Sequence, residues 1–340
     1  MNKTVASLGY AQFIDRARGS LLGAAIGDAM GAPCEGLSAA AIRARYGVVT
    51  DFISERSVGT DDTDFTLFNA HILLTHGYAV TQEQVEAEWR DKLLAPGRAY
   101  RPGGFSDVIS TRNLQAGLHA PASGGFGHQM WSDGVAMAIS AAGILCPDDP
   151  TEAARLAAIL GSVSNARDGI YTAQAVAGAI SVAIAGADPR QMIDAALAVV
   201  PEDSWTRRAL QRAKSVALTA EADDAGLAAI SEELVVAYWP WADLATEAIP
   251  LAFAALLVTH GDFSQAVPFG VRFGRDADTI GAIVGSMAGA LGGVSAIPET
   301  WRSRVQMSTG ACIGFIANRQ ITEIADQLVE KAWARYGDKL

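Results

Sequence analysis

The chain has 340 residues, half of them hydrophobic and 19% charged, and its 26 Lys and Arg against 37 Asp and Glu give a formal net charge of −11. A chain of this length and hydrophobicity can bury a large core. No basic stripe occurs along it, which argues against a surface for phosphate backbones and predicts no nucleic-acid partner.

Alanine-rich segments with helical periodicity recur from end to end, and no alternation typical of a β-sheet is convincing. Asp149-Pro150-Thr151-Glu152 and Thr81-Gln82-Glu83 are typical helix starts. With no low-complexity linker in the chain, we predict an all-α protein with a single domain over residues 1–340. The predicted helices cover residues 11–32, 63–77, 81–94, 107–119, 132–145, 150–165, 170–186, 189–199, 204–219, 223–237, 246–260, 262–273, 278–291 and 319–337.

The cysteines and the N-terminus predict a cytoplasmic protein. Cys34, Cys146 and Cys312 lie far apart in apolar contexts, which is typical of reduced, buried thiols. The segment Met1 to Ala11 lacks a basic region followed by an apolar one, so we predict no export signal.

One uncharged segment, Ile280 to Ile297, is long enough to span a bilayer. It consists mostly of Gly, Ala and Ser, which gain little from lipid. Gly281, Gly285 and Gly289 recur every four residues, a spacing that lets another helix approach closely. We therefore predict a buried helix of a soluble bundle rather than a membrane span.

Two acidic segments, Thr60-Asp61-Asp62-Thr63-Asp64 and Arg275-Asp276-Ala277-Asp278-Thr279, each open an apolar helical stretch. Helix capping is one interpretation, because Asp and Thr are preferred N-caps, but capping uses one side chain and leaves the other acids unexplained. Five carboxylates in one small volume repel one another unless cations neutralise them. If the fold brings the two segments together, they predict a site for a hard cation such as Mg²⁺ or Mn²⁺.

The segment from Gly27 to Glu35 is predicted to end the first helix. Small residues every four positions indicate a tightly packed helix that ends near Pro33, with Glu35 just beyond it. A solvated side chain after a helix end is the simpler interpretation of Glu35 alone. Asp28, inside the apolar helix, needs a partner if it is buried.

Two further segments have open interpretations. Trp239-Pro240-Trp241 forms either an aromatic wall that stacks a base or sugar, or core aromatics at a bend. Ser164-Asn165 belongs to a polar break between two apolar helices, a loop that could face a substrate. The long irregular regions 95–106 and 120–131 are candidates for binding, since such loops in compact helical proteins tend to carry function.

Three motifs in this order resemble the ADP-ribosylglycohydrolase family, which includes the dinitrogen-reductase-activating glycohydrolases and the J1-crystallin relatives. They are Gly-Asp-Ala-Met-Gly-Ala-Pro-Cys-Glu at 27–35, Thr-Asp-Asp-Thr at 60–63 and Gly-Arg-Asp-Ala-Asp-Thr at 274–279. The resemblance spans most of the chain and implies an orthogonally packed multi-helix bundle with two Mg²⁺ (or Mn²⁺) ions. The metal ligands that it implies are Thr60, Asp61, Asp62, Asp276, Asp278 and Thr279.

The resemblance also implies a reaction. The family hydrolyses an N- or O-glycosidic bond at the anomeric carbon of a ribose, so we expect a metal-dependent glycosidase for the N-ribosyl bond of an ADP-ribosylated or other ribosylated substrate. Glu35 matches the family acid that contacts water or substrate, and Glu35 or Asp62 is expected to take a proton from water. Two alternatives stay open: a hydrolase of a small nucleoside-like ribosyl metabolite, and a non-catalytic, crystallin-like structural protein.

Some loops depart from the family pattern. Relatives commonly have Gly-Asn-Gly-Ala-Ala-Met-Arg where this chain has Ser132-Asp133-Gly134-Val135-Ala136-Met137-Ala138, and Thr-His where it has Ser164-Asn165. These departures leave a smaller ribosylated compound open as the substrate, and neither the oligomeric state nor the choice between Mg²⁺ and Mn²⁺ follows from the sequence. The residues that we expect to contact substrate are Asp133, Gly134, Asn165, Trp241 and Arg275.

Overall fold

The computed structural model describes residues 8–340. Most of the segment interpreted above as lacking an export signal therefore lies outside the described residues. Within the described part of the chain, the all-α prediction is confirmed, because α-helices and short 3₁₀ or π turns occur there and β-strands do not. The helices are α1 Tyr10–Gly31, α2 Ala39–Tyr46, α3 Asp61–His76, α4 Gln82–Trp89, α5 Phe105–Gln115, α6 Ala122–Gly125, α7 Ser140–Leu145, α8 Pro150–Gly161, α9 Asp168–Ala185, α10 Pro189–Val199, α11 Trp205–Ala217, α12 Asp224–Leu234, α13 Ala245–Val258, α14 Phe263–Val271, α15 Ala277–Gly292, α16 Glu299–Arg302 and α17 Ile321–Tyr336.

The predicted helix 132–145 is only partly helical, since α7 begins at Ser140. Residues 133–138 form a bend and turns instead. Side chains of α3 bond to this segment: Thr66 donates its hydroxyl to the Met137 carbonyl at 3.3 Å, and Asn69 donates its amide to the Ala138 carbonyl at 3.0 Å. Helix α2 was not predicted, although Ser38 caps it by accepting the Ala41 N–H.

Helices α1 and α15 pack antiparallel along a seam of glycines. A Cβ at Gly27 would lie 1.9 Å from the Gly281 carbonyl oxygen, and one at Gly23 would lie 2.2 Å from that of Gly285. The missing side chains thus allow backbone to touch backbone, which only glycine permits. The same packing brings the end of α1, with Asp28, beside the start of α15, with Asp278.

The prediction that Ile280 to Ile297 includes a buried helix is confirmed as far as Ala290, two residues before α15 ends. Helix α13 is buried at every position, and both helices lie in the core. Among the described residues, α9 alone is long and apolar enough to cross a membrane, and 67% of it is buried inside the protein.

The three cysteines are free and buried, as predicted. Burial raises the pKa of Cys34 to about 11 and that of Cys146 to about 12, so both thiols stay protonated at neutral pH. They act as small core side chains.

Candidate metal centre

The two acidic segments meet, which confirms the spatial expectation drawn from the sequence. Thr279 donates its hydroxyl to Asp62 Oδ1 at 3.1 Å. Asp28, Asp62 and Asp278 each offer a carboxylate oxygen within 4.8 Å of the others, and Glu35, Asp276 and Asp278 form a second such group. Asp278 belongs to both groups, so the two clusters are adjacent.

Asp28 positions the start of α3. Its carboxylate accepts the backbone N–H groups of Thr60 at 2.8 Å and Thr63 at 3.1 Å, together with the hydroxyls of both threonines. Three of these donors reach Oδ2 and one, the Thr60 hydroxyl, reaches Oδ1. Because the Thr60 hydroxyl donates its hydrogen to Asp28, its oxygen lone pairs remain available to a ligand.

The remaining acids lack positive charge around them. Burial raises the pKa of Asp62, Asp276 and Asp278 well above the usual range, and like charges add to the effect: Asp278 on Asp62, Asp133 on Asp276, and Asp276 on Asp278. The Oδ1 atom of Asp278 is inaccessible and has no hydrogen-bond donor among the described residues. A buried carboxylate oxygen without a donor is costly, and a cation would relieve that cost.

Backbone contacts hold Glu35 beside this cluster. The N–H of Gly36 donates to the Arg275 carbonyl at 2.8 Å, and the N–H of Arg275 donates to the Leu37 carbonyl at 2.7 Å. Arg275 has a φ of +58°, a left-handed conformation uncommon for arginine, and these two bonds flank it. Glu35 is exposed at the rim of the site, whereas Asp276 and Asp278 are buried below it.

A cavity of about 280 Å³ opens above the acids. Glu35, Asp61 and Asp62 line it, and Thr279 lies there with Asp276 and Asp278. A carbon at the Gly103 Cβ position would fall 2.1 Å from Asp61 Oδ2, so that loop closes tightly over the site. The aromatic residues of the wall are Phe65, Trp89, Phe105 and Trp241.

Three of the residues predicted to contact substrate line this cavity: Asp133, Gly134 and Trp241. Asn165 is buried behind it, where it donates its amide to the Ser132 carbonyl at 2.9 Å and accepts the Ser164 hydroxyl at 2.7 Å. These bonds fix the loop that carries Asp133. The structure thus places Asn165 in support of the wall and Ser164 in the lining.

Arg275 also lies outside the described lining. Its guanidinium binds Glu247, with Nε 2.6 Å from Oε1, and donates to the carbonyls of Trp239 at 3.0 Å and Trp241 at 2.8 Å. Glu247 is fully buried. Arg275 therefore anchors the aromatic segment to the core, and its charge is compensated inside the protein.

Two lining acids were missed from the sequence. Asp107 accepts the Tyr100 hydroxyl at 2.7 Å and the N–H groups of Gly103 and Gly104, both at 3.0 Å. Its position three residues after Gly104 is a capping signal that the sequence offered. Asp243 stands two residues after Trp241, and both of its carboxylate oxygens are inaccessible and without a hydrogen-bond donor among the described residues.

Comparison with known proteins agrees with the fold and the motifs. The model of the ADP-ribosylglycohydrolase family matches residues 10–337. An uncharacterized protein of Archaeoglobus fulgidus is 28% identical over 300 residues, which cover 84% of this chain and 90% of the relative. The uncharacterized protein YegU of Escherichia coli K12 is 26% identical over 313 residues, 86% of this chain and 92% of YegU.

A solved structure named an ADP-ribosylglycohydrolase-related protein complex superimposes with a TM-score of 0.64 at 21% identity, covering 95% of this chain and 99% of its own. At that identity the likeness concerns the fold alone. The family match extends over nearly the whole chain. The protein belongs to the ADP-ribosylglycohydrolase family of glycosidic-bond hydrolases.

Proposed function

We propose that this protein is a metal-dependent hydrolase that cleaves the N-glycosidic bond of a ribosylated substrate. The observation that carries the proposal is the pair of carboxylate clusters sharing Asp278 at the base of the cavity. Two adjacent clusters of hard oxygen donors suit two neighbouring divalent cations.

The residues present fit such ions. Asp278 has a buried oxygen without a donor, the neighbouring acids have raised pKa values through burial and like charge, and the Thr60 hydroxyl keeps its lone pairs free. The residues that would hold the ions are Thr60, Asp61, Asp62, Asp276, Asp278 and Thr279. Two Mg²⁺ or Mn²⁺ ions would supply Lewis-acid polarisation of the ribose hydroxyls and of water.

Glu35 is the better placed of the two candidate bases. It is exposed at the rim and lies beside Asp276 and Asp278, so it can accept a proton from water and return it to solvent. Asp62 is buried and already accepts the Thr279 hydroxyl. The surrounding carboxylates stabilise the positive charge that develops on the sugar as the glycosidic bond breaks.

The dimensions of the cavity favour a small substrate. Its volume of about 280 Å³ lies just below the ~300–1,000 Å³ usual for ligand pockets, enough for a ribose with a small aglycone. This supports a nucleoside-like metabolite over an ADP-ribosylated protein. The free, buried thiols suit a reducing compartment, and we place the reaction in the cytoplasm.

The test measures release of free ribose from ribosylated compounds with Mg²⁺ or Mn²⁺ and with excess chelator. Asp61→Asn and Asp276→Asn should each lower activity at least ~100-fold and abolish the rise in melting temperature that the metal produces in the wild type. Asp203→Asn, an exposed acid far from these motifs in the sequence, is the matched control and should behave as wild type. Full activity in chelator would reject the proposal, and a protein with neither activity nor a metal-dependent thermal shift would favour the structural-protein alternative.

A further inference from the structure

The cavity has more carboxyl groups than two cations need as ligands. Eight of them line it, and no Lys, Arg or His of the described residues does. Only four of the eight, Asp61, Asp62, Asp276 and Asp278, are among the proposed metal ligands. The eight are Glu35, Asp61, Asp62, Asp107, Asp133, Asp243, Asp276 and Asp278.

Two of these acids, Asp133 and Asp243, lie on the wall beside the proposed metal ligands and are not among them. The Asp133 N–H donates to the Asp243 carbonyl at 3.1 Å, which joins the two loops that carry them. Asp133 is only 3% exposed, and its Oδ2 has no donor among the described residues; the same holds for both side-chain oxygens of Asp243. Buried carboxylate oxygens without donors are rare because they lose hydration without replacement. A ligand bearing positive charge or several N–H donors would satisfy them.

An aromatic ring accompanies this pair. Trp241 lines the same cavity two residues before Asp243, and 47% of it is exposed. Its ring meets the Trp239 ring edge-on at 5.2 Å, and Arg275 fixes both residues through their carbonyls. A held tryptophan beside carboxylates is the usual arrangement for a planar organic cation, which the ring face attracts.

A phosphate group, by contrast, finds no side-chain cation in the described lining of this cavity. The Gly103-Gly104 loop at the start of α5 resembles a phosphate cradle, but Asp107 already takes both of its N–H groups at 3.0 Å. Arg275 lies outside the described lining and is paired with Glu247. The side chains of the wall therefore offer a diphosphate carboxylates and no cation, and the proposed function assigns the two ions to the ribose hydroxyls and water.

We infer that the Asp133–Asp243–Trp241 wall takes the positively charged, planar aglycone of a phosphate-free riboside, such as a pyridinium N-riboside. This inference rests on the proposed hydrolase function. Water forms the new bond to C1′ and loses one proton to Glu35, while the electron pair of the breaking C1′–N bond neutralises the ring nitrogen. The aglycone departs uncharged and needs no proton, so the wall requires no acid at the leaving group.

Binding tests the wall without catalysis. In Mg²⁺ buffer, titration calorimetry compares the N-methylnicotinamide cation with uncharged nicotinamide, which has the same ring. The cation should bind wild type at least ~10-fold more tightly, and Asp243→Asn should remove most of that preference while leaving nicotinamide binding unchanged. Asp203→Asn should keep the preference. Equal binding of the two compounds by wild type, or an equal loss of both in Asp243→Asn, would overturn the inference.

Turnover tests the exclusion of phosphate. Nicotinamide riboside should show a kcat/KM at least ~10-fold above those of its 5′-phosphate and of uncharged uridine, and Asp243→Asn should narrow the margin over uridine. Equal turnover of the phosphorylated compound would overturn the phosphate-free assignment. Cation-selective binding without ribose release from any compound would refute the hydrolase function and leave the wall's selectivity standing, so the two failures are distinguishable.

Discussion

Thr279 Oγ1 lies 3.1 Å from Asp62 Oδ1, a hydrogen bond that joins residues 217 positions apart in the sequence. It connects the first turns of α3 and α15, so both helices begin at the floor of the cavity. Helix N-termini carry partial positive charge, which eases the burial of acids there but falls short of a full counter-charge. The ions of the proposed function would supply the rest of the counter-charge for the acids that start these helices.

Removing the Asp28 carboxylate should weaken metal binding, although Asp28 is not among the proposed metal ligands. Asp28→Ala leaves two N–H groups and two hydroxyls of Thr60 and Thr63 without their acceptor and releases the start of α3. We expect Mn²⁺ affinity, measured by titration calorimetry, to fall ~10–100-fold, the usual effect of losing a partner that orients a ligand. Asp223→Ala, which removes an acid that caps the distant helix α12, should leave the affinity unchanged. Unaltered affinity in Asp28→Ala would show that Thr60 needs no support from Asp28.

Replacing Arg275 should destabilise the protein because it leaves the buried Glu247 carboxylate without a partner of opposite charge. In Arg275→Met, the fully buried Glu247 loses its ion-pair partner, and the free energy of unfolding in urea should fall by about 3–5 kcal/mol. The double variant Arg275→Met with Glu247→Gln should recover most of the loss, because the amide keeps an acceptor for the Val236 N–H. A raised KM with unchanged stability would instead support the role in substrate contact expected from the sequence.

A methyl group in the glycine seam should damage both fold and site. The Cβ of Gly285→Ala would lie 2.0 Å from the Gly23 carbonyl oxygen, so α1 and α15 must separate. We expect a loss of at least ~1–3 kcal/mol in the free energy of unfolding, together with weaker metal binding. Gly125→Ala, where nothing lies within 4 Å of the added carbon, is the matched control and should be neutral. Wild-type stability of Gly285→Ala would refute the close packing of this seam.

The stabilisation given by metal should grow with pH. The pKa values of Asp62, Asp276 and Asp278 are raised in the folded, metal-free protein, so between the unfolded value near ~4 and the raised value it binds more protons than the unfolded chain. Its stability therefore falls as pH rises through that window. Cations displace those protons, so the gain in melting temperature with Mg²⁺ should be larger near pH ~8 than near pH ~6. Scanning fluorimetry measures it; equal gains at both pH values would contradict the coupling.

The spacing of residue types along the sequence predicted the features that depend on neighbouring residues. The small residues of α1 and the glycines of α15 indicated close packing, and the crowded acids of 60–64 and 275–279 indicated a common charged site. Both features depend on which residue types recur at which spacing, and the sequence displays that directly. The sequence did not show which segments these features contact, because the antiparallel packing of α1 against α15 is tertiary structure.

Residues whose roles depend on distant backbone were harder to predict. Arg275 was expected at the substrate, but its partner Glu247 stands 28 positions earlier and no periodicity links them. Asn165 likewise bonds to the Ser132 carbonyl, 33 positions away. The segment 133–138, which the sequence predicts as helix, likewise has distant partners, since Thr66 and Asn69 of α3 bond to its carbonyls. Helical propensity gives no sign of such contacts.

The glycine contacts between α1 and α15 have a consequence for how the protein would bind metal ions. Close packing of the backbones of α1 and α15 brings Asp28 and Asp278 together. The free energy of folding therefore offsets the repulsion between these acids, independently of metal binding. Divalent cations should bind to a site that is already folded. Chelation should abolish activity reversibly without unfolding the protein.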